Sequence, residues 1–179
     1  MKVGFIGLGT MGAGIALNVI RGQHSLVVHD TNRRSADPHL ELGATWADTP
    51  REVAAASEVV FTSLPGPTEV QAVALGDDGI LAGLSVGQAY FDLSTNSPTV
   101  MRALHARVAE KGGALLDAPV SGGPDGAKSG KMAIWVGGDE DVFTVHKPVL
   151  DSMSDAARYV GPIGAGSVAK LVHNLSGYI

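Results

Sequence analysis

The residues Gly7-Leu8-Gly9-Thr10-Met11-Gly12 follow directly on a short apolar run, Lys2–Ile6. They open a segment with helical apolar spacing at Met11, Ile15, Val19 and Ile20. No other feature narrows the fold as far. A buried strand that turns on glycines into a helix is the start of a βαβ unit built to hold a dinucleotide. Gly7 permits the tight turn, Gly9 lets a pyrophosphate approach the backbone, and Gly12 lets the helix pack close to the sheet. Leu8, Thr10 and Met11 complete the predicted cofactor loop. A second predicted strand, Ser25–His29, ends at Asp30, placed to accept hydrogen bonds from ribose hydroxyls.

The alternation continues along the chain. Strands are expected at Glu58–Ser63, Ala89–Leu93, Ala114–Pro119, Met132–Val136 and Arg158–Val160. Helices are expected at Thr49–Ala56, Thr68–Leu75, Pro98–Lys111 (capped by Ser97), Asp125–Ser129 and Glu140–Ser152. Asn32–Leu42 reads as a weak helix that Pro38 interrupts. Strands that alternate with helices define an α/β fold with a doubly wound, Rossmann-type, mostly parallel sheet. Residues 1–163 form that domain, and residues 164–179 begin a long interdomain helix. The stripe Leu171, Val172, Leu175, Tyr178 and Ile179 has no glycine cap, basic last turn or polar tail. The chain is therefore expected to be cut within a longer protein, or to dock this helix on another subunit as a homo-oligomer.

Composition removes several classes. With 179 residues, 45% of them apolar and 17% charged, the chain can bury one good-sized core. A net charge of −5 without any basic block argues against nucleic acid or an anionic membrane as partner. Zero cysteines excludes disulfides and thiolate sites and fits the cytoplasm. Six histidines are scattered without metal-ligand spacing, so no metal site is expected. Lys2 before an apolar run resembles a signal peptide, but five glycines from Gly4 to Gly14 break any apolar helix there. No window reaches the roughly 18 uninterrupted apolar residues of a membrane span.

A second constellation lies at Asp117-Ala118-Pro119-Val120-Ser121-Gly122-Gly123, after the run Ala114-Leu115-Leu116. A strand that ends in Ser-Gly-Gly exposes a hydroxyl and unencumbered backbone N–H groups, a cradle for a small carboxylate. Ser121 also reads as a helix N-cap, and Asp117 as a residue that fixes the turn. Asp30 favours NAD, since a 2′-phosphate would face its charge. Arg33 keeps NADP open, because it can neutralise that phosphate or stack on adenine. Leu64-Pro65 ends a strand at a position where such folds contact the cofactor.

Four blocks carry a family resemblance: Phe5–Asn18, Asp92–Pro98, Asp117–Gly138 and Gly164–Asn174. In this order they resemble the β-hydroxyacid dehydrogenases of the 3-hydroxyisobutyrate dehydrogenase and tartronate semialdehyde reductase type. The resemblance implies NAD(P)-dependent interconversion of a small 3-hydroxy acid with its semialdehyde. It implies that Ser121, Gly122 and Gly123 bind the substrate carboxylate, that Lys170 is the catalytic acid/base and that Asn174 positions substrate. It implies that Leu64, Pro65 and Thr95 contact the cofactor, Thr95 near the nicotinamide. It further implies an all-helical C-terminal domain that this chain does not contain. Lys170 and Asn174, four apart, share one helix face. His173 is expected to point away from Lys170, although the run around Lys170, His173 and Asn174 also resembles 6-phosphogluconate dehydrogenase. The alternatives are a glyoxylate or succinic semialdehyde reductase and a non-catalytic nucleotide-binding module. An imine reductase fits a proton-donating lysine less well.

Overall fold

A computed structural model describes residues 1–177; Tyr178 and Ile179 of the predicted apolar stripe lie outside the described residues. The chain order begins β1 (Lys2–Ile6), α1 (Gly12–Arg21), β2 (Ser25–His29), a 3-10 turn (Arg33–Ala36), α2 (Asp37–Leu40), β3 (Thr45–Trp46) and α3 (Pro50–Ala55). It continues with β4 (Val59–Thr62), α4 (Pro67–Leu75), α5 (Ile80–Gly83), β5 (Ala89–Asp92), α6 (Pro98–Glu110) and β6 (Ala114–Asp117). It closes with β7 (Val120–Ser121), α7 (Gly123–Ser129), β8 (Met132–Gly137), α8 (Glu140–Met153), β9 (Ser154–Gly161) and α9 (Ala165–Ser176).

Among the described residues nine strands form one sheet. Its first six run parallel in the order β3-β2-β1-β4-β5-β6. The direction of winding reverses between β1 and β4, so the crevice for a ligand opens at their carboxyl ends. β8 then pairs antiparallel with β6 and β7 and parallel with β9.

Central strands covered on both faces read as near-continuous apolar runs, and β4 and β5 are buried throughout. In register, Phe5, Phe61 and Phe91 stack across β1, β4 and β5, with ring centroids 6.5 and 5.1 Å apart. Burying each ring contributes about 2 kcal/mol. This face packs on Ile15, Ala16 and Val19 of α1 and Val149 and Leu150 of α8. The opposite face places Ile6, Val60, Tyr90 and Leu115 against Val53, Val70, Met101, Leu104 and Val108.

Several local details differ from the sequence reading. Asn32–Leu42 is a 3-10 turn followed by one turn of α-helix, with Pro38 in the first turn of the second piece. Ser97 does not cap α6 with its side chain; its N–H is held by Asn96 Oδ1 at 2.8 Å. The strand expected at Arg158–Val160 is the eight-residue β9. β3, α5 and β7 are too short to leave a periodic signal. α8 runs through Pro148 because Phe143, His146, Val149, Leu150 and Met153 hold it on the core.

Candidate active site

The glycine turn and the loop after β4 face each other across the β1/β4 crevice. Gly7 has φ +95°, and a Cβ there would strike the Ser63 carbonyl. A Cβ on Gly12 would strike the Gly7 carbonyl. A Cβ on Gly9 would meet nothing within 4 Å. Two glycines therefore close the turn, and the third leaves its outer side open for a ligand. In front lies a cavity of about 540 Å³, lined by Gly7, Gly9, Thr10, Met11 and Gly12, by Asp30 and by Leu64 and Pro65. A dinucleotide fits this space: the backbone approach at Gly9 is unobstructed and the helix N-terminus of α1 faces it.

Asp30 is anchored on two sides. Its Oδ2 accepts from Leu8 N–H at 2.7 Å and its Oδ1 from Asn32 N–H at 2.8 Å. Each carboxylate oxygen keeps a further lone pair for a hydroxyl. Leu8 is in the turn, but its side chain is buried in the core rather than facing the cavity. Arg33 is not among the cavity's lining residues. Its guanidinium lies over the Trp46 ring, 4.6 Å from the centroid, and 3.4 Å from Asp37 Oδ1. The cation thus has a ring and a carboxylate of its own.

A second cavity of about 290 Å³ adjoins the first and shares Met11, Ser63, Leu64 and Pro65 with it. Thr95, Ser121, Gly122, Gly123 and Lys170 complete its wall. Asn174 is not among the lining residues; it is half-buried, one turn beyond Lys170. The cradle turn bends through φ +140° at Gly122 and +62° at Gly123, values that favour glycine. Gly122 takes the N-cap position of α7, so Ser121 is not the cap.

Beneath both loops sits a buried polar network that sequence reasoning missed. Asp92 Oδ1 accepts from Thr62 Oγ1 at 2.9 Å and from Ser94 N–H at 3.1 Å, and Oδ2 accepts from Asn96 Nδ2 at 3.0 Å. Ser94 Oγ in turn accepts from Leu64 N–H at 3.0 Å. The ends of β4 and β5 are so tied together, and Leu64 and Thr95 keep their spacing. Burial pushes the Asp92 carboxyl above the ordinary range, against the hydrogen bonds of Ser94, Asn96 and Thr62. Burial, then the nearby Asp92 charge, push the Tyr90 phenol well above its ordinary value. The readable signal was the polar run Ser94-Thr95-Asn96-Ser97 straight after an apolar strand.

Lys170 reaches the cavity because Asp117 anchors the start of α9. Asp117 Oδ1 accepts from Gly164 N–H at 2.7 Å and Oδ2 from Ser167 N–H at 2.6 Å. Burial pushes the half-buried Lys170 amine below the ordinary lysine range. His173 does not turn away: its Nε2 lies 3.0 Å from Ser121 Oγ. Positions three apart on a helix are neighbours, so His173 shares the Lys170 face.

An open sheet with this winding, and a glycine cradle at its reversal point, defines a dinucleotide-binding domain. Residues 2–161 match the family described as the NAD binding domain of 6-phosphogluconate dehydrogenase, and the chain belongs to it. Its relatives are hydroxy-acid oxidoreductases, as the resemblance implied. The NAD-dependent L-serine dehydrogenase of Pseudomonas aeruginosa is 38% identical, over 97% of this chain and 58% of that protein. The 2-hydroxy-3-oxopropionate (tartronate semialdehyde) reductase of Escherichia coli is 39% identical, over 98% of this chain and 60% of that protein. The solved 3-hydroxyisobutyrate dehydrogenase of Mycobacterium tuberculosis with L-serine superposes at TM-score 0.92 with 33% identity, over 98% of this chain and 59% of that one. The chain thus spans about three-fifths of the length of the relatives it matches. No helix among the described residues is long and apolar enough to cross a membrane.

Proposed function

We propose that this chain is the cofactor-binding part of a cytoplasmic NAD-dependent dehydrogenase of short 3-hydroxy acids. The observation that carries the reading is one cavity walled by Ser121, Gly122, Gly123, Thr95 and Lys170, continuous with the dinucleotide crevice. The Ser121 hydroxyl and the backbone of Gly122 and Gly123 hold the substrate carboxylate. The substrate hydroxyl then lies toward Lys170, and Asn174 turns inward to position it. Bound NAD would accept the hydride. Lys170 takes the hydroxyl proton in oxidation and returns it in reduction. The exposed stripe Val168, Leu171, Val172 and Leu175 supports a further helical domain or a second subunit seated on α9. A panel of short hydroxy acids, followed by NADH absorbance in the full-length protein, tests the reading. Turnover confined to acids with a 3-hydroxyl supports it, and no turnover on any member refutes it.

Two predictions concern the cofactor. Gly9→Val puts a side chain into open space, so stability should change by less than about 1 kcal/mol. The same side chain occupies the pyrophosphate approach, so NAD should bind at least about tenfold more weakly by calorimetry. Wild-type affinity in that variant would place the dinucleotide elsewhere. NAD is preferred over NADP because a 2′-phosphate would face the Asp30 carboxyl at the ribose site, while Arg33 lies over Trp46 and beside Asp37. Asp30→Ala should narrow the NAD-to-NADP ratio of kcat/KM by about tenfold, the contribution of one hydrogen bond to a charged group. An unchanged ratio would remove Asp30 from cofactor selection.

A further inference from the structure

His173 has no part in the scheme above, yet it sits on the cradle. Its Nε2 is 3.0 Å from Ser121 Oγ, and its ring packs on Trp135 with centroids 5.0 Å apart. We propose that His173 is a positioning residue that sets the direction of the Ser121 hydroxyl proton, and with it the cradle's affinity for a carboxylate. The inference rests on the reading of Ser121 as a carboxylate donor.

A serine hydroxyl owns one proton. When neutral His173 carries its proton on Nδ1, Nε2 accepts from Ser121, and the hydroxyl presents only lone pairs to the cavity. A carboxylate is then repelled. When Nε2 carries a proton, it donates to Oγ, and the Ser121 proton is released toward the cavity. An imidazolium permits only the second arrangement and adds a positive charge beside the anion. Substrate should therefore bind more tightly when the ring is protonated.

Other charged groups lie on the elements around His173. Lys170 lies one turn earlier on the same helix, and Arg158 of β9 stands opposite Trp135 in the β8–β9 register. Arg102 of α6 lies against Gly164 at the far start of α9. Asp125, in the first turn of α7, is exposed. Among these, Lys170 is a second titrating group, and its loss of charge would change kcat as well as substrate affinity. An effect of His173 would appear in affinity alone.

The test measures binding of 3-hydroxyisobutyrate to the full-length protein–NAD complex by calorimetry, and its oxidation, between about pH 5.5 and 8.5. Wild-type Kd and KM should rise about tenfold with pH, the contribution of one charge-assisted hydrogen bond, while NAD affinity stays flat. His173→Gln offers Ser121 a donor that never titrates, so its Kd should stay near the acid-side value across the range. His173→Leu removes the acceptor that draws the Ser121 proton away from the cavity, so its Kd should be independent of pH and tighter than the wild-type alkaline value. A wild-type slope that survives in H173Q or H173L, or binding in H173L as weak as that of alkaline wild type, overturns the proposal. The pH step in binding without turnover leaves it standing and refutes the dehydrogenase reading. Turnover without the step does the reverse, and the absence of both binding and turnover refutes both.

Discussion

Lys170→Ala is expected to lower kcat by about a hundredfold to ten-thousandfold, the range for removing a positioned acid/base, with NAD binding unchanged. The separation follows from position: Lys170 lines the second cavity and not the dinucleotide crevice. Folding should be little affected, since Lys170 is only half-buried and the start of its helix is held by Asp117. The pH profile supplies a second readout. Burial disfavours the ammonium and lowers the lysine pKa, so the midpoint lies below the ordinary value of about 10.4. Reduction needs the protonated amine, and its rate should fall as pH rises through the lowered pKa. Oxidation needs the neutral amine, and its rate should rise with pH and level off above that pKa. Lys170→Arg keeps the charge but cannot give up its proton in this range. It should therefore lose oxidation as fully as Lys170→Ala. Near-normal kcat in either variant would end the assignment of Lys170 as acid/base.

Much of the fold was legible because its signals are local. The apolar runs of β1, β4 and β5 and the glycine turn after β1 needed only neighbouring residues to be recognised. The stacking of Phe5, Phe61 and Phe91 was not legible, because it depends on the strand order and register. Ser97 misled because a serine before proline reads as a side-chain cap, and here it occupies the cap position without making that bond. The site was legible as separate blocks but not as a set of contacts. The charge on Arg33 pointed to a cofactor phosphate, and only the fold shows Trp46 competing for it. The pairing of Ser121 with His173 joins residues 52 positions apart. Asp92 was half legible as a hub: Ser94 and Asn96 lie within four residues of it, whereas Thr62 comes from another strand that register alone brings beside it.

Asp117 was expected to fix its own turn, but its carboxylate instead caps α9 from the end of β6, the strand that leads into the cradle. Asp117→Ala should lower stability by about 3 kcal/mol, because two buried backbone N–H groups lose their acceptor. For a chain of this size that corresponds to a fall in Tm of roughly 10 °C. The space is tight as well: a Cβ on Gly137 would approach Asp117 Oδ1 to 2.6 Å, and one on Gly166 would approach Oδ2 to 3.2 Å. Water therefore has little room to take over both bonds. Asp117→Asn separates shape from charge. Its amide has one acceptor and one donor, so one N–H stays paired while the other faces an NH₂ group. The loss should be nearly as large as in the alanine variant. A catalytic consequence follows from the same geometry, since releasing the start of α9 moves Lys170 relative to Ser121. Below the melting point both variants should lose kcat with NAD affinity retained. A Tm within about 2 °C of wild type would mean that other contacts hold α9, and that the Lys170-to-cradle spacing does not depend on Asp117.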